Sequence, residues 1–214
     1  MPRSLSQTTK DFLTFPLRAF LLVEGDKWGL SALPSERFDY VSRNVRGYCL
    51  DVGCGKYNRF VKEFLNGEGV GIDVFKYDGL TDENIVEDLS TFPFEDETFE
   101  TVTFIANLNH VPEPLRDTEL SEAFRVLKPG SNIVVTMGNP VAMVMTHKVV
   151  ELYDKKLGTN YDVDSERGME EEESYYLKDT EIIERLARAG FSEIEKSYFF
   201  TQWNLNHLFV GWKR

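Results

Sequence analysis

The sequence predicts an α/β fold with a doubly wound, mostly parallel sheet, on three observations. Tyr48-Cys49-Leu50-Asp51-Val52 is a short apolar run that enters the glycine turn Gly53-Cys54-Gly55, as a buried strand does before a sharp, ligand-side bend. Phe60, Val61, Phe64 and Leu65 then recur at helical spacing, and a second strand, Gly69 to Val74, carries Asp73 at its end, 22 residues after Asp51. From there strand and helix patterns alternate, as parallel strands joined by crossovers require.

Composition bounds the reading. A chain of 214 residues, 42% hydrophobic and 28% charged, can build one substantial core. The formal net charge of −12 argues against a long nucleic-acid partner, which needs clustered Lys and Arg. Cys49 and Cys54 are too few for a disulfide framework and fit a reducing cytoplasm. His110, His147 and His207 stand far apart in the chain, so no metal-ligand spacing is present and no metal is expected.

Taken in order, the first element is the stretch Phe12 to Val23, broken by Pro16 and Arg18. It is too short to span a bilayer and no small-residue cleavage site follows, so an amphipathic arm and no membrane segment are expected. Ser35 caps a helix that places Phe38, Val41 and Val45 on one face. After the first two strands, Asn84 to Glu87 is expected as a third and Phe99 to Ala106 as a fourth. The fourth runs into Asn107-Leu108-Asn109-His110, and a helix follows, stopped at Pro129-Gly130. Ser131 to Met137 is the fifth strand.

Residues 140 to 176 then break the alternation with a helix over 141–157 and four consecutive glutamates, Glu170 to Glu173. A segment leaving a doubly wound sheet there sits beside the strand ends that bind ligands, and is expected to be a lid; a solvated excursion is the plainer alternative. Ile182, Ile183, Leu186 and Ala187 mark an amphipathic helix stopped by Gly190. Strands around 194–200 and 207–212 end the chain. With no linker or repeat, one domain is expected over 1–214, comprising an arm and helix (1–46), the sheet and the insertion (140–176).

The pattern Asp51-x-Gly53-x-Gly55 followed by Asp73 resembles the class I S-adenosylmethionine-dependent methyltransferases, and the likeness extends over about residues 35–214. The family's third glycine is Tyr57 here, and Asn58 breaks the dinucleotide fingerprint. The resemblance implies a seven-stranded sheet with the last strand antiparallel. It further implies S-adenosylmethionine as cofactor, with Asp73 on the ribose, Asp88 on the adenine amino group and Leu89 against the ring. Gly53, Cys54 and Gly55 would lie by the methionine end, Asp51 by its ammonium, and Val74 and Asn107 beside the cofactor. Trp28, Arg37 and Tyr40 are pocket candidates from a leading helix that closes over the cofactor.

The expected function is methyl transfer to a small-molecule O, N or C acceptor by in-line displacement. His110 is the candidate for taking the acceptor's proton, with a structural role as the alternative. A homodimer is compatible with this reading. Two other readings compete: a nucleotide-binding oxidoreductase or epimerase, which the missing third glycine disfavours, and a non-catalytic cofactor-binding relative.

Overall fold

The computed structural model describes residues 3–21, 25–139 and 176–214, with four isolated positions between 148 and 156. The helix expected over 141–157 and nearly all of the insertion expected over 140–176 lie outside the described residues. Six strands form one sheet: β1 (Cys49–Val52), β2 (Gly69–Ile72), β3 (Phe99–Ile105), β4 (Leu127–Gly138), β5 (Ser192–Tyr198) and β6 (Asn206–Trp212). Their order is β2-β1-β3-β4-β6-β5. The pairs β1–β2, β1–β3 and β3–β4 are parallel, and β6 runs antiparallel to both β4 and β5.

Among the described residues, the α-helices described in full are α1 (Leu5–Phe20), α2 (Leu33–Ser42), α3 (Glu113–Val126) and α4 (Asp179–Arg188). Strand alternation sends Leu50, Val52, Ile133, Val135 and Phe209 to one face, where Leu120 and Ala123 of α3 and Ile182 and Leu186 of α4 complete the main core. The other face presents Cys49, Val134, Leu208 and Val210 to Val41 of α2 and to Phe60 and Phe199.

Four local expectations are corrected. The third strand shrinks to a single parallel bridge between Asp73 and Ile85. The cause is Asn84, whose Nδ2 donates to Gly71 O at 2.7 Å while its Oδ1 accepts from Thr81 N, closing a 3-10 turn over Asp82–Asn84. A side chain occupies the ladder position that a strand's backbone would use. The helix after the glycine turn is only a 3-10 turn (Lys56–Asn58) and one π turn (Phe60–Phe64). Tyr57 and Asn58 lie within the 3-10 turn at φ 65° and 48°, and left-handed residues break a right-handed helix there.

The leading helix starts at Leu33, before Ser35, because Pro34 sets the first-turn φ. Pro129-Gly130 is part of β4, not a loop before it: Gly130 N donates to Lys213 O at 2.7 Å.

The N-terminal helix is pinned to the sheet's far end. Phe12 stacks on Phe200 at 4.6 Å, and Trp203 Nε1 donates to Phe12 O at 2.9 Å. Arg18, fully buried, pairs with Glu36 Oε2 at 3.1 Å, and Gln202 Nε2 donates to the same oxygen at 2.8 Å. Removing one partner of such a buried pair costs about 3–5 kcal/mol. Among the described residues no helix is long and apolar enough to cross a membrane.

Candidate active site

A cleft of about 750 Å³ opens over the C-terminal ends of β1 and β3, within the range of small-molecule sites. Gly53, Gly55 and Asp73 line it on one side, and Ile105, Ala106, Asn107 and His110 on the other. The glycine turn is built for close approach. Gly53 has φ 72°, and a Cβ there would fall 2.3 Å from Asn107 Cγ, so the turn closes only without a side chain. Asn107 Nδ2 in turn donates to Val52 O at 3.2 Å. At Gly55 a Cβ would meet nothing within 4 Å: the backbone there fronts the open cleft.

Asp73 is buried where β2 ends. Its Oδ2 accepts from Gly55 N and its Oδ1 from Phe75 N, both at 3.0 Å. The carboxylate thus holds the glycine turn while lining the cleft, in position for a ligand's hydroxyls. Asp51 lies beneath the turn and is not part of the cleft lining. Thr103 Oγ1 donates to its Oδ1 at 2.6 Å. Burial drives its pKa up to about 7, the Thr103 hydrogen bond opposes that rise, and the nearby charge of Asp73 adds to it.

The remaining candidates separate. Cys54 is buried and Val74 half-exposed, and neither lines the cleft. Burial, reinforced by Asp51, pushes both Cys49 and Cys54 thiols upward, so neither is a thiolate nucleophile at neutral pH. Leu89 belongs to the main core. Asp88 is exposed, and the Ser90 hydroxyl, with Ser90 N, donates to its Oδ1, which holds its carboxyl below the usual range. Trp28 is exposed at 83% and Tyr40 stacks on Phe199 at 4.3 Å with its hydroxyl on Thr201; both are spent outside the cleft.

Arg37 is different. It is only partly exposed, its Nε is buried with no hydrogen-bond partner, and desolvation alone lowers its pKa to about 10. It stands one helical turn before Val41, which packs on the sheet, and it is not among the residues that line the cleft. A desolvated cation without a counterion is costly unless a ligand supplies the anion.

Motif reading missed Gly25, Lys27, Lys56, Arg59, Glu63 and Tyr77, which with Tyr57 complete the lining. Only the aromatic spacing Phe75-x-Tyr77 beyond Asp73 offered a signal for any of them. No group of three or more metal-ligating side chains occurs among the described residues. The residues present fit S-adenosylmethionine: an open backbone at Gly55 and the Asp73 carboxylate facing the same cleft.

Comparison with known proteins agrees. Residues 50–135 match the family described as methyltransferase domain. The chain is 32% identical over 127 residues to the ubiquinone/menaquinone biosynthesis C-methyltransferase UbiE of Bartonella tribocorum, covering 56% of this chain and 47% of that protein. The Brucella canis UbiE is 28% identical over 196 residues, covering 84% and 71%. In fold, the chain resembles an S-adenosylmethionine-dependent methyltransferase from Methanosarcina mazei, with TM-score 0.54 and 21% identity over 81% of this chain and 96% of that one. With the sheet order, the glycine turn and the acid that closes on it, these likenesses show a methyltransferase domain over residues 50–135, on a fold similar to S-adenosylmethionine-dependent methyltransferases.

Proposed function

We propose that the chain transfers a methyl group from S-adenosylmethionine to a small hydroxylated aromatic acceptor seated over the ends of β3 and β4. The carrying observation is the Asp73 carboxylate, which lines the cleft and at the same time closes the Gly53–Gly55 turn. The UbiE relatives are C-methyltransferases of ubiquinone and menaquinone biosynthesis, which favours a ring acceptor.

In this reading Asp73 accepts from the ribose hydroxyls, each charge-assisted bond contributing about 1.5–3 kcal/mol. Asp51 lies near the methionine ammonium, Arg37 takes its carboxylate, and Asp88 with Leu89 faces the adenine. When bound, the cofactor supplies an electrophilic sulfonium methyl. The protein's own task is then alignment, which contributes roughly 7–11 kcal/mol in well-oriented reactions. Asn107 and His110 form the wall nearest the acceptor, and His110 is the cleft-side candidate for a proton. Residues 140–176, with the N-terminal arm, cover and select the acceptor.

Labelled cofactor and a panel of hydroquinones, phenols, amines and carboxylates test this directly. Transfer to a hydroquinone or phenol supports the reading; transfer only to amines or carboxylates replaces the acceptor class. Cofactor retention without transfer to any class would favour the non-catalytic alternative.

A further inference from the structure

The first helix, α1, is amphipathic the wrong way round. A helix on a globular surface turns its apolar stripe inward and its ions outward. Of the three charged residues in α1, Asp11 and Arg18 are fully buried and only Lys10 is exposed. Asp11 pairs with Arg3 at 3.0 Å and accepts from Ser31 Oγ at 2.9 Å, while Arg18 pairs with Glu36. On the outward side Leu5 is exposed at 83% and Leu13 at 69%, and Leu17, Phe20 and Leu21 are exposed with them. At about 100° per residue these side chains, with Thr9 and Pro16, fall in one arc of about 160°.

This stripe asks little of water. Thr9 Oγ1 donates to Leu5 O at 3.0 Å and Thr14 Oγ1 to Lys10 O at 2.7 Å, so both hydroxyls are spent on the helix's own carbonyls. Aromatic residues border the stripe on both sides. Phe200 and Trp203, each about half-exposed, meet Phe12 along one edge. Along the other, Gln7 Nε2 donates to Gly29 O at 3.4 Å, next to the exposed Trp28. The same turn reaches the cleft. Lys27 N donates to Leu30 O at 3.1 Å and Leu30 N to Lys27 O at 2.7 Å, and Gly25 and Lys27 line the cleft itself.

We infer that the outward face of α1, with its aromatic borders, docks this protein on a lipid bilayer surface and holds the Gly25 and Lys27 wall of the cleft beside that surface. The helix lies on the bilayer and does not cross it: 16 residues extend about 24 Å, short of the ~30 Å hydrocarbon layer. An interfacial helix sinks its apolar face about 5–10 Å into the headgroup boundary, where amphipathic aromatic rings also settle. Lys10, the exposed charge of α1, matches anionic headgroups. A second copy of the chain is the poorer occupant. Two convex strips of about 24 Å by 10 Å bury well under the ~1,200 Å² that a stable interface needs, whereas a bilayer receives a convex face of any outline.

Flotation of the full chain with phosphatidylcholine vesicles containing one quarter phosphatidylglycerol tests this. The parent should float with the vesicles, and Leu13→Gln combined with Leu17→Gln should lower its lipid partition coefficient at least tenfold. Leu13→Met with Leu17→Met keeps the apolar surface and should partition within threefold of the parent. Both side chains lie outside the core, so both variants should melt with the parent. Independently, brominated phosphatidylcholine should quench the emission of Trp28 and Trp203. The remaining Trp212, packed under Arg46, should be unquenched in Trp28→Phe with Trp203→Phe. A parent that stays in solution, or a Gln variant that floats like the parent, would overturn the inference. So would a floating parent with Trp28 and Trp203 unquenched, which would put another face on the lipid. A parent that dimerises in sedimentation velocity without floating, and whose dimer the Gln variant loses, would give the face to a second copy and overturn it equally.

Discussion

A Cβ on Gly79 would lie 2.2 Å from Cδ1 of Tyr57, so the tyrosine ring occupies the space that any side chain at 79 would need. Tyr57 stands where the resembled family has its third glycine, and it takes φ 65°, the conformation that a glycine adopts freely. Its N donates to Asp78 O at 2.7 Å, which locks the turn from outside. The departure from the motif therefore changes the residue and keeps the backbone path.

Tyr57→Gly should accordingly preserve cofactor affinity within about threefold, because glycine keeps the backbone path that Tyr57 follows along the cleft. Gly79→Ala should destabilise the fold by about 1–3 kcal/mol through its positive φ of 76° and the clash with Tyr57. Denaturant titration checks the second and calorimetry the first. A folded Tyr57→Gly that no longer binds cofactor would show that the ring itself builds the site.

Asp51 and Glu119 give the protein an uncommon pH response. Burial raises their pKa values to about 7 and about 8, against roughly 4 in an unfolded chain. The folded state then carries the extra protons, so this contribution is full below about pH 4 and is lost as pH rises towards 8. Asp51→Asn should gain stability relative to the parent between pH 5 and 8, and the difference should vanish near pH 4. Bound ammonium beside Asp51 would favour its charged form, so cofactor binding at pH 6.5 should release a fraction of a proton. Calorimetry in two buffers of different ionisation enthalpy reads that release; none would separate Asp51 from the ammonium.

Arg37→Met should weaken S-adenosylmethionine binding by about 2–4 kcal/mol while leaving adenosine affinity unchanged, since only the former carries a carboxylate. The substitution also removes a desolvated cation, so the ligand-free protein should be as stable as the parent or more so. Equal loss for both ligands would mean that Arg37 supports the fold near the cleft and not the carboxylate.

Replacing residues 159–173 with a short Gly-Ser linker should abolish methyl transfer and change cofactor affinity by no more than about 1 kcal/mol, roughly fivefold. The proposed function rests cofactor binding on the sheet edge and acceptor choice on this segment. A folded linker variant with parental transfer to the identified acceptor would reduce the segment to surface.

The sheet was legible wherever apolar runs met glycine, as at Leu50 to Gly55 and Phe104 to Asn107. It was illegible where a side chain did the backbone's work: Asn84 takes the ladder position at Gly71, and periodicity cannot register that. Tyr57 and Asn58 look like ordinary helix residues in sequence and are left-handed in place. In the site, Asp73 and the glycines announced themselves through spacing. The Gly53–Asn107 contact and the solitude of Arg37 depend on how distant segments meet, and no local pattern encodes them.

Calorimetric titration of S-adenosylmethionine into the parent protein and into Asp73→Ala bears most directly on the cofactor site. The carboxylate lines the cleft and is the residue assigned to both ribose hydroxyls. The parent should bind, and the variant should lose about 3 kcal/mol or more, roughly 150-fold in affinity, as two charge-assisted bonds disappear. Circular dichroism establishes that the variant is folded. Unchanged affinity in a folded Asp73→Ala would contradict the assignment of this cleft to the cofactor.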